Sequence, residues 1–246
     1  MALPVSSHTP GSVRVIAHRG ASVAEPENTM RAFRAAAADG ADMVELDVWL
    51  DVDGKPVVHH DAAIAVDGGI KAIKSLSYRE MFSLRPKAPI PSLEEVLRWA
   101  QDRIAVYVEL KGPGTAAPVA NLVRSLAMND QVIVGSFQPS LVAQIRAEAP
   151  DLPVSVLVSE PDPSLLVRLG LELRTDYVHP CWEGADPAPN KLLQADIVGS
   201  VRDAGLGLIV WQEDREEELE YLLSLSPDGI CTNIPGRLVA VRERHR

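Results

Sequence analysis

The sequence predicts an α/β protein closed into a single (β/α)8 barrel with only a short insertion on its rim, and three observations carry this. Eight short runs rich in β-branched residues recur along the 246 residues, amphipathic stretches of helical period separate them, and the length suits one such barrel. Alternation of this kind implies parallel strands joined by right-handed crossovers, and closure removes the edges that an eight-stranded open sheet would have to cover. A doubly wound sheet is the competing architecture. It would advertise a glycine-rich turn after its first strand, and neither G-x-G-x-x-G nor G-x-x-x-x-G-K-[ST] occurs.

The first predicted strand is VRVIA at 13–17, followed by DMVELDV at 42–48, RIAVYVEL at 103–110 and QVIVGSF at 131–137. The second half contributes LPVSVLV at 152–158, DYVHP at 176–180, LGLIVW at 206–211 and DGICT at 228–232. Among the helices, Ser92 with Glu95 three residues on reads as a capping box ahead of Leu93, Val96, Leu97 and Ala100. Asp214 with Glu217 reads as a second, ahead of Leu219, Leu222 and Leu223, while Leu193, Ile197, Val201 and Ala204 form an apolar stripe. The one irregular stretch, 61–91, contains DGG at 67–69 and the proline-rich RPKAPIP at 85–91. It is too short for a domain and reads as a rim loop with one short helix, so a single domain over 12–244 is expected.

Composition narrows the function. Hydrophobic residues at 46% and charged residues at 24% match a folded globular chain. With 24 Lys and Arg against 34 Asp and Glu, the net charge of -10 offers no broad basic surface, which argues against nucleic acid as a partner. An anionic substrate would have to be met by a bound cation or a few placed Arg and Lys. Cys181 and Cys231 lack redox or zinc spacing and read as reduced, structural residues. The first twelve residues have neither a basic nor an apolar signal region, and no apolar run approaches a membrane span, so a cytoplasmic protein without stable membrane association is expected.

The chemistry-bearing residues cluster at predicted strand ends. Residues two apart on a strand share a face, so Glu45 and Asp47 present two carboxylates toward the barrel mouth, and Glu109 and Lys111 repeat the spacing on the next barrel strand. An isolated E-x-D could merely alternate solvent and core faces. Here the pair interrupts a strand that a parallel barrel buries on both sides, and three converging acids would repel one another without a cation between them. A hard divalent ion, Mg2+ or Ca2+, is the economical partner for such oxygen ligands. His18 and Arg19 follow the first strand, and Gly20 lets the chain turn. His59, His60 and Asp61 end the apolar PVV run, and spacing does not decide which histidine works. Neither G-x-S-x-G nor H-E-x-x-H occurs, so the inventory supports metal-assisted hydrolysis with acid/base residues.

The segment 17–61, AHRGASVAEPENTMRAFRAAAADGADMVELDVWLDVDGKPVVHHD, strongly resembles the glycerophosphodiester phosphodiesterases through H-R-G, P-E-N-T, E-x-D and D-G-x-P-V-V-x-H-D in order. The likeness continues through V-E-L-K at 108–111, S-F at 136–137, V-W at 210–211 and T-N-x-P at 232–235, covering nearly the whole chain. This resemblance implies His18 and His60 as the acid/base pair, which resolves the choice against His59. It further implies Glu45, Asp47 and Glu109 as ligands of one divalent cation, Arg19 and Lys111 as phosphate-holding groups, and Phe137 and Trp211 as walls of the substrate cleft. Gln212 and Glu213 depart from the family's common pattern beside that tryptophan. The implied reaction is hydrolysis of a small glycerophosphodiester to glycerol 3-phosphate and an alcohol. The alternatives are a lysophospholipase D-like or cyclising enzyme acting on lysolipids, and a noncatalytic barrel that binds a phosphorylated ligand.

Overall fold

The structure, a computed structural model, describes residue 5 and residues 13–66, 69–84, 88–160, 162–181, 193 and 195–245. In chain order the strands are β1 (Arg14–Ala17), β2 (Met43–Leu50), β3 (Pro56–Val58), β4 (Ala63–Val66), β5 (Gly69–Ala72), β6 (Ala105–Leu110), β7 (Val132–Ser136), β8 (Val154–Val158), β9 (Tyr177–Pro180), β10 (Gly207–Val210) and β11 (Gly229–Thr232). The helices are α1 (Met30–Ala38), α2 (Tyr78–Ser83), α3 (Leu93–Ala100), α4 (Ala116–Ser125), α5 (Pro139–Glu148), α6 (Pro163–Glu172), α7 (Ala195–Asp203), α8 (Glu216–Leu225) and α9 (Pro235–His245). Strand β1 pairs in parallel with both β2 and β11, which closes β1, β2 and β6 to β11 into an eight-stranded barrel. Each of the eight predicted runs supplies one of these strands.

Strand parity sorts the apolar residues into two cores. Val15, Val44, Leu46, Val106, Val108, Val134, Val156, Val178, Leu208, Val210 and Ile230 point outward and pack under the helices. The alternate positions Ile16, Met43, Ala105, Tyr107, Ile133, Leu157, Tyr177, Ile209 and Cys231 point inward and fill the barrel. Both cysteines are buried thiols outside any disulfide, as expected. None of the helices among the described residues is long and apolar enough to cross a membrane.

The helix starts are mixed. Ser92 caps α3 by accepting from the Glu95 backbone N–H at 3.2 Å, which is one half of the predicted capping box. Asp214 does not cap α8: Arg215 occupies that position, with no side-chain cap, and the Asp214 carboxylate is engaged elsewhere. The stripe Ile197 and Val201 is buried on α7, with Leu193 buried just ahead of it.

The rim insertion is more ordered than a loop. Strands β4 and β5 form an antiparallel hairpin, and Ile64, Ile73, Leu76 and Met81 pack with Val57 of β3 into a small core of their own. The predicted short helix is α2, which Ser77 and Glu80 close with a full capping box. The hairpin escaped notice because AIAV and GIKA are short and rich in small residues, with weak strand propensity. Part of its turn, residues 67–68, and residues 85–87 of the proline-rich run lie outside the described residues. Asp51 ties this unit to the barrel: one carboxylate oxygen accepts from the Asp53 and Lys55 N–H groups, and the other from that of Tyr78.

After β1 the chain turns back on itself at Gly20, where φ is +86° and an added Cβ would lie 2.6 Å from the Ala32 backbone carbon. Gly20→Ala should therefore combine left-handed strain with overpacking and cost on the order of 3 kcal/mol in chemical denaturation. Gly40→Ala shares the positive φ but meets nothing closer than 3.6 Å, so about 1 kcal/mol is expected there. Equal losses at the two positions would remove the close approach as the cause.

Candidate active site

The mouth of the barrel is built on one pair of strands. The parallel register of β2 and β6 sets Asp47 opposite Glu109, and Glu45 lies two residues back on the same inward face. All three carboxylates are almost fully buried, and one oxygen from each lies within 4.8 Å of the others. Burial and the charges of Asp47 and Glu109 push the Glu45 carboxyl well above its ordinary range. Burial and Asp47 push that of Glu109 up to about 7. Burial acts on Asp47 in the same sense, but Lys111, Arg19 and the Asn28 amide outweigh it and hold its carboxyl below the usual range.

Two cations are threaded among these acids. The Lys111 ammonium lies 2.7 Å from Glu109 Oε1 and 3.0 Å from Asp47 Oδ1. The Arg19 guanidinium lies 3.3 Å from Asp47 and 3.0 Å from Glu27, and its backbone N–H donates to Glu45 Oε2 at 2.9 Å. Four carboxylates thus face two cations. Glu45 Oε1 and Glu109 Oε2 are buried with no hydrogen-bond donor, a condition that proteins rarely leave unrelieved. A hard divalent ion fits this set of oxygens and would bring the group to neutrality.

Residues 26–29 show why P-E-N-T is a unit. Glu27 pairs with Arg19, and Asn28 Nδ2 donates to Asp47 Oδ2 at 2.8 Å. Thr29 caps α1 by accepting from the Ala32 N–H, while its hydroxyl donates to the Pro26 carbonyl. Both Arg19 and Asn28 take positive φ, at 55° and 56°, a conformation that asparagine tolerates better than arginine.

His18 lies deep in the mouth, with Nε2 4.0 Å from Glu45 Oε2 and Nδ1 2.8 Å from Asn233 Oδ1. Trp211 packs edge-on against it at 4.5 Å between ring centroids, and also against Phe137 at 6.2 Å and His179 at 5.2 Å. Burial, reinforced by the Arg19 cation, lowers the His18 pKa to about 4, so the ring is neutral near pH 7. His60 sits apart on the rim, partly exposed, and its Nδ1–H donates to the Asp61 carboxylate at 2.8 Å. The adjacent His59 donates instead to the Asp61 backbone carbonyl at 2.9 Å. A cavity of about 280 Å³ separates His60 from Glu27 and Asn28 and is walled by Val58, Ile64 and Ile90.

Of the residues singled out in the sequence, Glu45, Asp47, Glu109, Arg19, Lys111, His18, Phe137 and Trp211 come together at the barrel mouth, whereas His60 stands apart on the rim. Sequence reasoning gave Asn28, Asn233 and His179 no role in the site, and read Asp214 only as a helix cap. The first two stand inside quoted motifs, whereas His179, fully buried beside Tyr107, carries no local signal.

Fold and site together define an eight-stranded α/β barrel with a buried acidic centre at its mouth. The chain matches the glycerophosphoryl diester phosphodiesterase family over residues 18–237. It is 29% identical over 245 residues to a glycerophosphodiester phosphodiesterase of Caldanaerobacter subterraneus subsp. tengcongensis, covering 92% of this chain and 96% of that one. It is 24% identical over 277 residues to a lysophospholipase D of Mus musculus, covering 94% and 83%. A crystal structure of a glycerophosphodiester phosphodiesterase from Agrobacterium tumefaciens superposes with a TM-score of 0.80 at 26% identity, covering 93% and 100%. The chain belongs to the glycerophosphoryl diester phosphodiesterase family, and with it to the phosphoric diester hydrolases.

If the orphaned oxygens receive a divalent ion, folding and binding are linked. Mg2+ or Ca2+ at a hundredfold excess over its dissociation constant should stabilise the protein by about 2.7 kcal/mol, or roughly 5–10 °C in Tm. Glu109→Gln should lose most of that increment, and an increment equal to wild type would exclude Glu109 as a ligand.

Proposed function

We propose that this protein hydrolyses small glycerophosphodiesters to glycerol 3-phosphate and an alcohol in a reaction that depends on one divalent cation. The observation that carries the reading is the meeting of three buried carboxylates within 4.8 Å, with His18, Arg19 and Lys111 around them. Glu45, Asp47 and Glu109 would hold the ion, which when bound supplies positive charge to the nonbridging phosphate oxygens. Arg19 and Lys111 add donors to the same oxygens, so the diester enters a site already arranged for the charge of its transition state.

The two histidines divide the proton work. His18 is neutral and presents Nε2 to the carboxylate cluster, so it takes the proton of the attacking hydroxyl, whether water or the glycerol hydroxyl of the substrate. His60, in its protonated form and held by Asp61, gives a proton to the departing alcohol oxygen as the P–O bond breaks. The glycerol half lies among Arg19, Lys111, Phe137 and Trp211. The alcohol leaves into the cavity beside His60, whose apolar walls of Val58, Ile64 and Ile90 read a headgroup weakly and leave Glu27, Asn28, Thr29 and His59 as its polar side.

A lysolipid diester is the second reading. Of the large hydrophobic side chains exposed among the described residues, Val23, Val52, Ile70 and Phe82 all stand on rim loops or the rim insertion. Such residues can rest on a lipid surface.

The deciding assay measures glycerol 3-phosphate released from glycerophosphocholine with Mg2+ or Ca2+, beside lysophosphatidylcholine at equal concentration. The soluble diester should be the better substrate, and activity should disappear with chelator; full turnover in chelator would falsify the metal-dependent reading. His18→Ala and His60→Ala should each lower kcat by at least about 10²-fold, with His59→Ala costing little. A His59 loss as large as that of His60 would overturn the assignment. Across choline, ethanolamine, glycerol and inositol diesters, kcat/KM should vary within roughly a hundredfold, under about 3 kcal/mol. Several thousandfold preference for one headgroup would contradict an undemanding leaving-group cavity.

A further inference from the structure

The hydrogen bonds behind His18 form a chain whose direction can be read from atoms that only accept. Asp214 Oδ1 accepts from the Thr232 hydroxyl and the Asn233 N–H, both at 2.8 Å. Its Oδ2 accepts from Asn233 Nδ2 at 2.7 Å and from Gln212 Nε2 at 3.3 Å. A carboxylate has no proton to give, so the Asn233 amide nitrogen must face Asp214 and its oxygen must face His18. That oxygen also accepts from the Ser22 hydroxyl at 2.8 Å. An amide oxygen has no proton either, so His18 Nδ1, 2.8 Å away, carries the hydrogen. The lone pair of the neutral ring is left on Nε2, which is buried with no hydrogen-bond partner and turned toward Glu45.

The loop that carries Asp214 is itself anchored. The Glu213 N–H donates to the Cys231 carbonyl at 3.0 Å, and the buried Glu213 carboxylate accepts from the Asp214 and Arg215 N–H groups and the Arg215 guanidinium. Gln212 and Glu213 thus hold the residue that orients Asn233.

We propose that Asp214 and Asn233 are positioning residues that fix the tautomer of His18, keeping the proton on Nδ1 and the lone pair on Nε2 facing the substrate. The inference rests on the reading of His18 as the base. It differs from a role in packing because the order of donors, not the presence of side chains, is what matters.

Asp214→Asn tests this with little change of shape. The new amide can keep its oxygen toward Thr232 and the Asn233 N–H, which places its NH2 group where Oδ2 stood. Asn233 must then turn its oxygen to that NH2 and its own nitrogen to His18, and Nδ1 becomes the acceptor. Long-range 1H–15N spectra of the Mg2+-loaded protein report the tautomer directly. Wild-type His18 should show Nδ1–H and Asp214→Asn should show Nε2–H, with kcat reduced at least about 10²-fold and KM within about threefold. Exchanging the two residues in Asp214→Asn/Asn233→Asp restores the donor order, since the new amide donates to a carboxylate that accepts from Nδ1. The double variant should return His18 to Nδ1–H and recover at least about tenfold of the lost kcat. An Asp214→Asn protein whose His18 stays Nδ1–H, or a double variant that restores neither tautomer nor turnover, overturns the proposal. A shifted tautomer with wild-type kcat supports the hydrogen-bond order and overturns the reading of His18 as base.

Discussion

The site depends on one electrostatic constraint: three carboxylates are buried at the centre of the barrel, where desolvation and mutual repulsion both oppose their charge. Nearly every polar contact around them is a response to that constraint. Lys111 bridges Asp47 and Glu109, Arg19 reaches Asp47 with its side chain and Glu45 with its backbone, and Asn28 donates to Asp47 Oδ2, the oxygen that Arg19 also faces. Asp47 receives most of this help and is the one acid held below its ordinary range. Glu45 and Glu109 each retain an oxygen without a donor, and the two cations do not balance the four carboxylates that include Glu27. A divalent ion held by these oxygens would offset the deficit.

The barrel explains how such a centre can be rigid. Inward positions below it are mostly apolar, so Ile16, Met43, Tyr107, Ile133 and Leu157 make a floor, with Ser155 buried among them, that keeps water from screening the charges from beneath. The outward positions of the same strands are anchored by helices, so the register that sets Asp47 opposite Glu109 is fixed by packing on both faces. Trp211 closes one side, its ring edge against His18 and Phe137. Arg19 and Asn28 keep positive φ because several hydrogen bonds over-determine them.

Much of this was legible in the sequence, for physical reasons that also explain the omissions. The eight strands were readable because strands buried on both faces need unbroken β-branched runs, and acids within such runs are conspicuous. The acids and cations announce themselves by position at strand ends, whereas Phe137 and Trp211 stood out only through the resemblance of S-F and V-W to the family's motifs. Asp214 misled because D-x-x-E is a local signal, whereas the donors that claim its carboxylate come from the turn at 232–233 and from Gln212. Local pattern and long-range contact compete for the same oxygen atoms, and spacing records only the first. The rim hairpin failed for the opposite reason. Its strands are held by a small core around Ile64 and Met81, and their own propensity is weak.

The two proposed acid/base residues are housed in contrasting ways, and the contrast suits their tasks. His18 is buried, packed against Trp211 and oriented through Asn233, so its ring has one position and one tautomer. A base that must accept a single proton at a defined atom gains from that confinement, because each alternative orientation would remove the lone pair from the attacking hydroxyl. His60 stands at the edge, tied to Asp61 and open to solvent. An acid that has donated its proton must recover one before the next turnover, and water reaches His60 far more readily than His18. In the hydrolysis of a cyclic intermediate the two roles would exchange, His60 activating water and His18 returning its proton to the glycerol oxygen. The buried residue then never needs to exchange a proton with bulk water, since it takes and gives within one substrate.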